Sequence, residues 1–341
     1  AKNKKIAFIG PLVKSVREHL GFWSFDWPDD TARIVSLWDG VQAKVGKTAA
    51  LSYAKGCELT DSSKQGFDEA IATAMQADVI VMAVGETRDM SGEAKSRSNI
   101  GLPGVQEELI KAMMATGKPV VVMISAGRPL VFDYTATHAP AILYTWWLGI
   151  EAGNAMADVL FGDYNPSGKL PMTFPRSEGQ IPIYYNYFNT GRPAKNETDL
   201  NYVSSYTDLP NSPRYPFGFG LSYTNFNYGK LSLSTATPKG ASIVKARILV
   251  TNSGTRDGEE VVQLYIRDIT ASAIRPMKEL KGFQKIFLKA GESREVTFNI
   301  STAELMFYNN DLKYDWEPGE FEIMVGTSST QTQSVKLTWL K

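Results

Sequence analysis

The sequence of 341 residues has one cysteine and two histidines. A lone Cys57 allows no internal disulfide. With only His19 and His138 beside it, little is left from which to build a transition-metal site. One cysteine fits the cytosol and a secreted protein that never needed bridges equally well, so it does not decide the compartment. Net charge is missing too: 36 basic residues balance 36 acidic ones, and no field draws the chain to nucleic acid or to a membrane surface. No apolar run approaches the roughly 20 residues of a membrane-spanning helix. Ala1-Lys2-Asn3-Lys4-Lys5 leads straight into a strand-like run instead of the apolar core of a signal peptide, so no targeting signal is expected within this sequence. Gly10-Pro11 and Gly127-Arg128-Pro129 lack the Gly-x-Gly-x-x-Gly and Walker spacings, which argues against a nucleotide cofactor. Neither histidine has a serine or cysteine partner at a recognisable spacing, and a nucleophile triad is unsupported. No repeat and no low-complexity tract is visible.

What remains is an ordinary globular composition, 43% apolar and 21% charged, in a chain long enough for two or three domains with proper cores. Aromatic residues are plentiful at 11%, including 7 Trp and 15 Tyr. Aromatic faces stack on sugar rings, but filling cores is their commoner use.

The central stretch is Asp78-Val79-Ile80-Val81-Met82-Ala83-Val84-Gly85-Glu86. Its apolar, β-branched run marks a strand buried on both faces of a parallel sheet. The following Thr87-Arg88-Asp89-Met90-Ser91-Gly92-Glu93-Ala94-Lys95-Ser96-Arg97 turns abruptly polar and has no helical period. In open α/β sheets, ligands sit beyond the carboxyl ends of the strands, where such loops emerge. A carboxylate on this loop stands over a site without being buried in the sheet, and Glu93 is the candidate for the chemistry.

Around that strand the sequence alternates. Strands are expected at residues 6–11, 50–53, 120–125 and 141–145. Helices are expected at 33–45, 67–76, 103–115 (Pro103 opening it at a position proline favours) and 153–161. This predicts a mostly parallel sheet with helices on both faces over residues 1–175. Residues 176–228 are rich in Pro, Tyr, Asn and Ser with little periodicity. They read as a connecting segment laid over the first domain, because their aromatics need burial. From 229 to 341, alternating runs at 242–251, 259–267, 279–288, 295–300, 321–325 and 334–339 are separated by turn clusters. They predict an all-β sandwich of immunoglobulin or fibronectin III type.

Three stretches carry a family resemblance. They are Lys118-Pro119-Val120-Val121-Val122-Met123-Ile124-Ser125-Ala126-Gly127-Arg128-Pro129, then Trp146-Trp147-Leu148-Gly149 with Ala157-Asp158-Val159-Leu160-Phe161-Gly162-Asp163-Tyr164-Asn165-Pro166-Ser167-Gly168-Lys169-Leu170-Pro171-Met172-Thr173-Phe174-Pro175, and finally Tyr215-Pro216-Phe217-Gly218-Phe219-Gly220-Leu221-Ser222-Tyr223-Thr224. Together they resemble the glycoside hydrolase family 3 β-glucosidases of the bacterial periplasmic type, over essentially the whole chain. Such proteins carry a (β/α)8 barrel, an α/β sandwich and a fibronectin-III-like domain, and this sequence resembles the last two. The resemblance implies a retaining, exo-acting β-glycosidase acting on β-linked oligosaccharides or glucosides, periplasmic or secreted; from the residues themselves no cofactor or metal is expected. It implies a nucleophilic aspartate on a barrel, carried by the same gene product or a second chain, and a general acid/base in the loop after the central strand, which falls on Glu93. It gives Trp23, in Gly21-Phe22-Trp23-Ser24, a stacking role on the leaving-group sugar; Phe25 and Trp27 follow more weakly. The fibronectin-like part would serve as a brace.

Each assignment has a rival. Glu86, at the strand end, suits a structural role through loop backbone or through Arg97 or Arg88. Packing against the barrel is the rival for Trp23, and Trp146 and Trp147 suit core or interdomain packing. Asp158 and Asp163 suit capping instead of metal binding. Where many relatives have an arginine before Tyr-x-Asp, this sequence reads Ser204-Ser205-Tyr206-Thr207-Asp208, so contacts through 196–215 do not transfer. Two other function classes compete with the enzyme. A non-catalytic carbohydrate-binding or scaffold module would rest on Trp23 and its loop alone. A flavodoxin-like nucleotide binder would rest on the α/β pattern alone.

Overall fold

The computed structural model describes residues 4–25 and 33–341. The chain divides into two compact units, one comprising residues 1–164 and 175–181, the other 165–174 and 182–341.

The first unit is built on five parallel strands: β1 (Lys5–Ile9), β2 (Ala50–Ala54), β3 (Val79–Gly85), β4 (Val120–Ser125) and β5 (Ala141–Tyr144), in the order β2-β1-β3-β4-β5. The helices are α1 (Leu37–Val45), α2 (Phe67–Met75), α3 (Gln106–Ala115), α4 (Asp133–His138) and α5 (Ala152–Phe161). Ile6 and Phe8, Val81 and Ala83, and Met123 pack in one cluster with Leu37, Val41 and Val45 of α1 and Ala152, Met156 and Ala157 of α5. The alternate residues point to the opposite face, where α2 and α3 bury Ala70, Ala74, Leu109, Ile110 and Met113. Both faces are thus covered, and β3 reads as a continuous apolar run for that reason.

The small residues of α5 have a definite use. A Cβ on Gly153 would lie 1.9 Å from the Ser36 carbonyl oxygen, and one on Gly40 of α1 would lie 2.3 Å from the Gly153 carbonyl carbon. Only glycine lets these two helices approach so closely. The expected helix from Pro103 begins later, at Gln106, because Gly104 takes a left-handed φ of 58°. Likewise α1 begins at Leu37, where the Ser36 side chain caps it by accepting from the Asp39 N–H at 3.1 Å.

The second unit is an antiparallel sandwich. It comprises β6 (Phe226–Tyr228), β7 (Ser232–Leu233), β8 (Val244–Asn252), β9 (Gly258–Asp268), β10 (Glu279–Leu288), β11 (Ser293–Ile300), β12 (Phe307–Tyr308), β13 (Tyr314–Asp315), β14 (Gly319–Gly326) and β15 (Thr332–Trp339). One sheet has the order β10-β9-β14-β15 and the other β11-β8-β6, with β7 also on β8. Val244, Ala246, Ile248 and Val250 of β8 face Leu264, Ile266, Ile323, Val325 and Trp339 in a single core, the inner alternation expected of a sandwich.

Residues 182–341 fall in this unit, so most of the segment read as connecting is grouped with the sandwich. Half-buried Tyr185 stacks on Phe217 at 4.4 Å and meets the fully buried Tyr265 of β9 edge-on at 5.8 Å, whereas Tyr184, Tyr187, Phe188, Tyr202, Tyr206 and Tyr223 stay exposed. The Asn165-Pro166-Ser167-Gly168-Lys169 run is clipped to the start of β9. Asn165 donates to the Asp257 carbonyl, Ser167 to Glu259, and Lys169 pairs with Glu260 at 3.1 Å. Among the described residues, no helix is long and apolar enough to cross a membrane.

Candidate active site

In the order β2-β1-β3-β4-β5 the direction of winding reverses between β1 and β3, and crevices open there beyond the carboxyl ends of the strands. The loop after β1 carries the aromatic stretch and the loop after β3 carries Glu93. The loops after β4 and β5 join them. A cavity of about 300 Å³ is lined by Leu20, Gly21, Phe22, Trp23, Ser91, Gly92, Gly127 and Trp147, drawn from all four loops.

Close approach in this cavity depends on glycine. A Cβ on Gly92, whose φ is 155°, would lie 2.3 Å from the Phe22 ring, and one on Gly127 would lie 2.5 Å from the Ser91 Cβ and 2.7 Å from the Trp147 indole nitrogen.

Glu86 is fully buried and organises the loops. Its Oε1 accepts from Arg97 at 2.6 Å and lies 2.9 Å from Arg128 Nε, an ion-pair contact without hydrogen-bond alignment. Its Oε2 accepts from the Ser91 hydroxyl at 2.7 Å and the Gly127 N–H at 3.2 Å. A buried carboxylate is tolerated when paired and hydrogen-bonded in this way. Glu86 therefore has the partners of a structural group: Arg97 and loop backbone, as the sequence indicated, with Arg128 added.

Glu93 is its opposite. It is exposed, in the turn closed by Lys95 N–H donating to the Gly92 carbonyl at 3.2 Å, and its carboxylate makes no hydrogen bond or ion pair among the described residues. The next residue, Ala94, has a φ of 56°, a conformation costing a non-glycine residue about 1 to 2 kcal/mol. Such local strain clusters at functional loops.

Trp23 is 76% exposed, with its ring set edge-on to Phe22 at 5.1 Å. It lines the same cavity as Gly92, the neighbour of Glu93. Phe25 is exposed, and Trp27 lies outside the described residues. Trp147, read from the sequence as packing, lines the cavity. Trp146 packs edge-on against Tyr144 at 4.9 Å and holds a φ of 55°, unusual for so large a side chain. Asp158 and Asp163 both pair with Lys44. His138 stacks on Tyr134. His19 is buried with neither ring nitrogen hydrogen-bonded, and burial pushes its pKa down to about 4.

Gln106 is the organiser that sequence reading missed. Fully buried, it accepts from the Gly85 N–H at 2.8 Å and donates to the Gly85 and Leu59 carbonyls, each at 2.8 Å. It thereby ends β3 and fixes where the Glu93 loop departs. The signal was a polar residue on the apolar stripe of a helix, next to Val105 and Leu109.

A doubly wound α/β unit with its loops gathered at the switch point, followed by a fibronectin-like sandwich, defines the class. Residues 1–223 match the family model described as Glycosyl hydrolase family 3 C-terminal domain, and residues 260–329 match the Fibronectin type III-like domain. The chain belongs to glycoside hydrolase family 3. It is 46% identical to the periplasmic beta-glucosidase of Salmonella typhimurium, with 97% of this chain and 46% of that protein covered. It is 42% identical to a beta-xylosidase of Formosa agariphila, with 96% and 45% covered. The crystal structure of beta-glucosidase from Listeria innocua in complex with isofagomine superposes with a TM-score of 0.93 at 38% identity, covering all of this chain and 47% of that one. The chain thus spans about half the length of the relatives it matches.

Proposed function

We propose that this chain is the C-terminal portion of a retaining, exo-acting β-glycosidase that releases terminal β-D-glucosyl residues from oligosaccharides or aryl glucosides. Glu93 is the general acid/base. The nucleophile is an aspartate on a (β/α)8 barrel of the same gene product or of a second chain. In the first step Glu93 donates its proton to the departing glycosidic oxygen while the aspartate attacks the anomeric carbon. In the second, the Glu93 carboxylate takes a proton from water, which displaces the aspartate with a second inversion. The two carboxyl groups must come within about 5 to 5.5 Å for this double displacement. Trp23 offers its face to the leaving-group sugar, the apolar platform that a ring of C–H bonds selects.

The observation that carries the reading is the contrast between two carboxylates on one loop: Glu86 has four protein contacts, and Glu93, at the tip, has none among the described residues. A group that must both give and take a proton needs a free carboxylate that reaches outward. The names of the relatives support β-glucoside chemistry, and that of the Salmonella protein supports a periplasmic setting. A beta-xylosidase at 42% identity makes the glycone the first specificity to measure, by comparing kcat/KM on aryl β-glucosides and β-xylosides.

The test of the acid/base role is Glu93→Gln, made in the protein at its native length. Hydrolysis of glycosides with poor leaving groups should fall roughly a hundred- to ten-thousand-fold, while dinitrophenyl glycosides, which depart unprotonated, lose far less in the first step. Equal losses on both classes would sink the assignment.

A further inference from the structure

We propose that Arg128 is the positioning residue of the Glu93 loop, setting where the acid/base carboxylate stands. The inference rests on the reading of Glu93 given above and extends it to a residue arriving from a different strand. Arg128 follows β4, and one of its terminal nitrogens donates to two carbonyls of the loop after β3: that of Met90 and, at 3.0 Å, that of Lys95. These carbonyls lie on either side of Glu93, three residues before it and two after. Between them the chain makes the Gly92–Lys95 turn with Ala94 in its left-handed conformation. The guanidinium thus closes the base of a short loop whose tip is Glu93.

Arg128 is itself held. Its Nε lies against Glu86 Oε1, which also accepts from Arg97, and Arg97 reaches on to the Gly101 carbonyl at 3.0 Å. The other oxygen of Glu86 holds Ser91 within the loop and the backbone of Gly127, next to Arg128. Nε and one terminal nitrogen of the guanidinium are therefore both engaged, the first by a buried carboxylate and the second by the loop backbone. Lysine, a point charge on a flexible stem, cannot hold both at once. The Glu93 carboxylate makes no hydrogen bond or ion pair among the described residues, so its place follows from its backbone. Displacing a reacting group by about 1 Å costs on the order of a hundredfold in rate.

The proposal is tested with Arg128→Met, Arg128→Lys, Glu93→Gln and the Arg128→Met/Glu93→Gln double variant, all at native length. Arg128→Met should lower kcat/KM about 100-fold on disaccharides and alkyl glycosides and only slightly on dinitrophenyl glycosides, the same leaving-group pattern as Glu93→Gln. Combined with Glu93→Gln it should add less than roughly threefold, because the two act as a unit. Amide exchange should quicken across residues 90–96 and stay unchanged in β3 and β4. Arg128→Lys, which keeps the charge and folds more readily, should show the same pattern in weaker form. Equal losses on both substrate classes, full additivity in the double variant, or unchanged exchange in the loop would overturn the role of Arg128 while Glu93→Gln keeps its pattern. If Glu93→Gln alone fails to discriminate between leaving groups, the acid/base reading has failed first, and this inference falls with it.

Discussion

The two units bury their polar groups for different ends. In the sandwich, buried Glu260 is closed off by Lys169 and the Tyr228 hydroxyl, Gln263 by the carbonyls of Gly218 and Thr327 and the Tyr265 hydroxyl, and Asn252 by Thr224, Arg256 and Leu288. Each network ends in itself and fastens a loop to a strand. In the α/β unit, five of the buried polar groups, Glu86, Ser91, Gln106, Ser125 and Thr145, lie at the carboxyl end of the sheet or in the loops just beyond it. Glu86, Ser91 and Gln106 hold up a loop whose tip carries an unbonded acid. Packing on two faces of a parallel sheet leaves the strand ends as the place where polar side chains converge without disrupting a core. The difference teaches that a buried charge marks a site only when what it supports is left open.

Substitutions can break this comparison. The largest effect is expected for Glu86→Ala. It strands Arg97, Arg128, Ser91 and the Gly127 N–H, and should cost about 3 to 5 kcal/mol in urea-unfolding stability. Glu93→Gln, on the same loop, should stay within about 0.5 kcal/mol of the parent.

His19 comes next. Its folded pKa of about 4 lies below the usual 6.5, so the unfolded chain binds the extra proton. Its contribution is fully present above 6.5 and is lost as pH falls toward 4. The loss amounts to about 3 kcal/mol, and His19→Leu should flatten that part of the pH–stability curve. Glu260 in the sandwich tilts the other way. Burial raises its carboxyl above the ordinary 4.5 despite Lys169, so the folded state holds the proton more tightly. Stability falls as pH rises from 4.5 through the raised value. Glu260→Gln should remove that opposite and smaller slope, read from thermal midpoints across the same range. The smallest change in stability is expected for the exposed Trp23, where alanine should leave stability within about 0.5 kcal/mol. That variant should lower kcat/KM on disaccharides about fivefold to tenfold through lost stacking.

Much of this was legible in the sequence for a physical reason. A strand buried on both faces must be apolar throughout, so β3 stood out, and the polar loop behind it had nowhere to go but the sheet edge. Glu86 as a braced group was also readable, since a carboxylate at the end of a buried strand needs partners and Arg97 was near. Arg128 and Gln106 were not. Their loop partners are 33 and 38 residues away for Arg128, and 21 and 47 for Gln106, so only the order of the parallel strands brings them together. The six-residue α4 is too short to show a period. Gly104 hid the true start of α3, because proline at 103 is equally good in a turn. Among the aromatics of 182–228, Tyr185 and Phe217 pack within the second unit while Tyr184, Tyr187, Phe188 and Tyr202 stay exposed, a division that composition does not show.

The most direct measurement compares Glu93→Ala with Glu86→Ala, at native length, on a dinitrophenyl β-glucoside in the presence of azide. With its base gone, a retaining enzyme accumulates the glycosyl intermediate, and an anion that needs no deprotonation enters where the carboxylate stood. The Glu93 variant should be accelerated by azide and yield the β-glucosyl azide, and the Glu86 variant should not. Azide product from the Glu86 variant, or none from the Glu93 variant, would contradict the division of roles between the braced carboxylate and the free one.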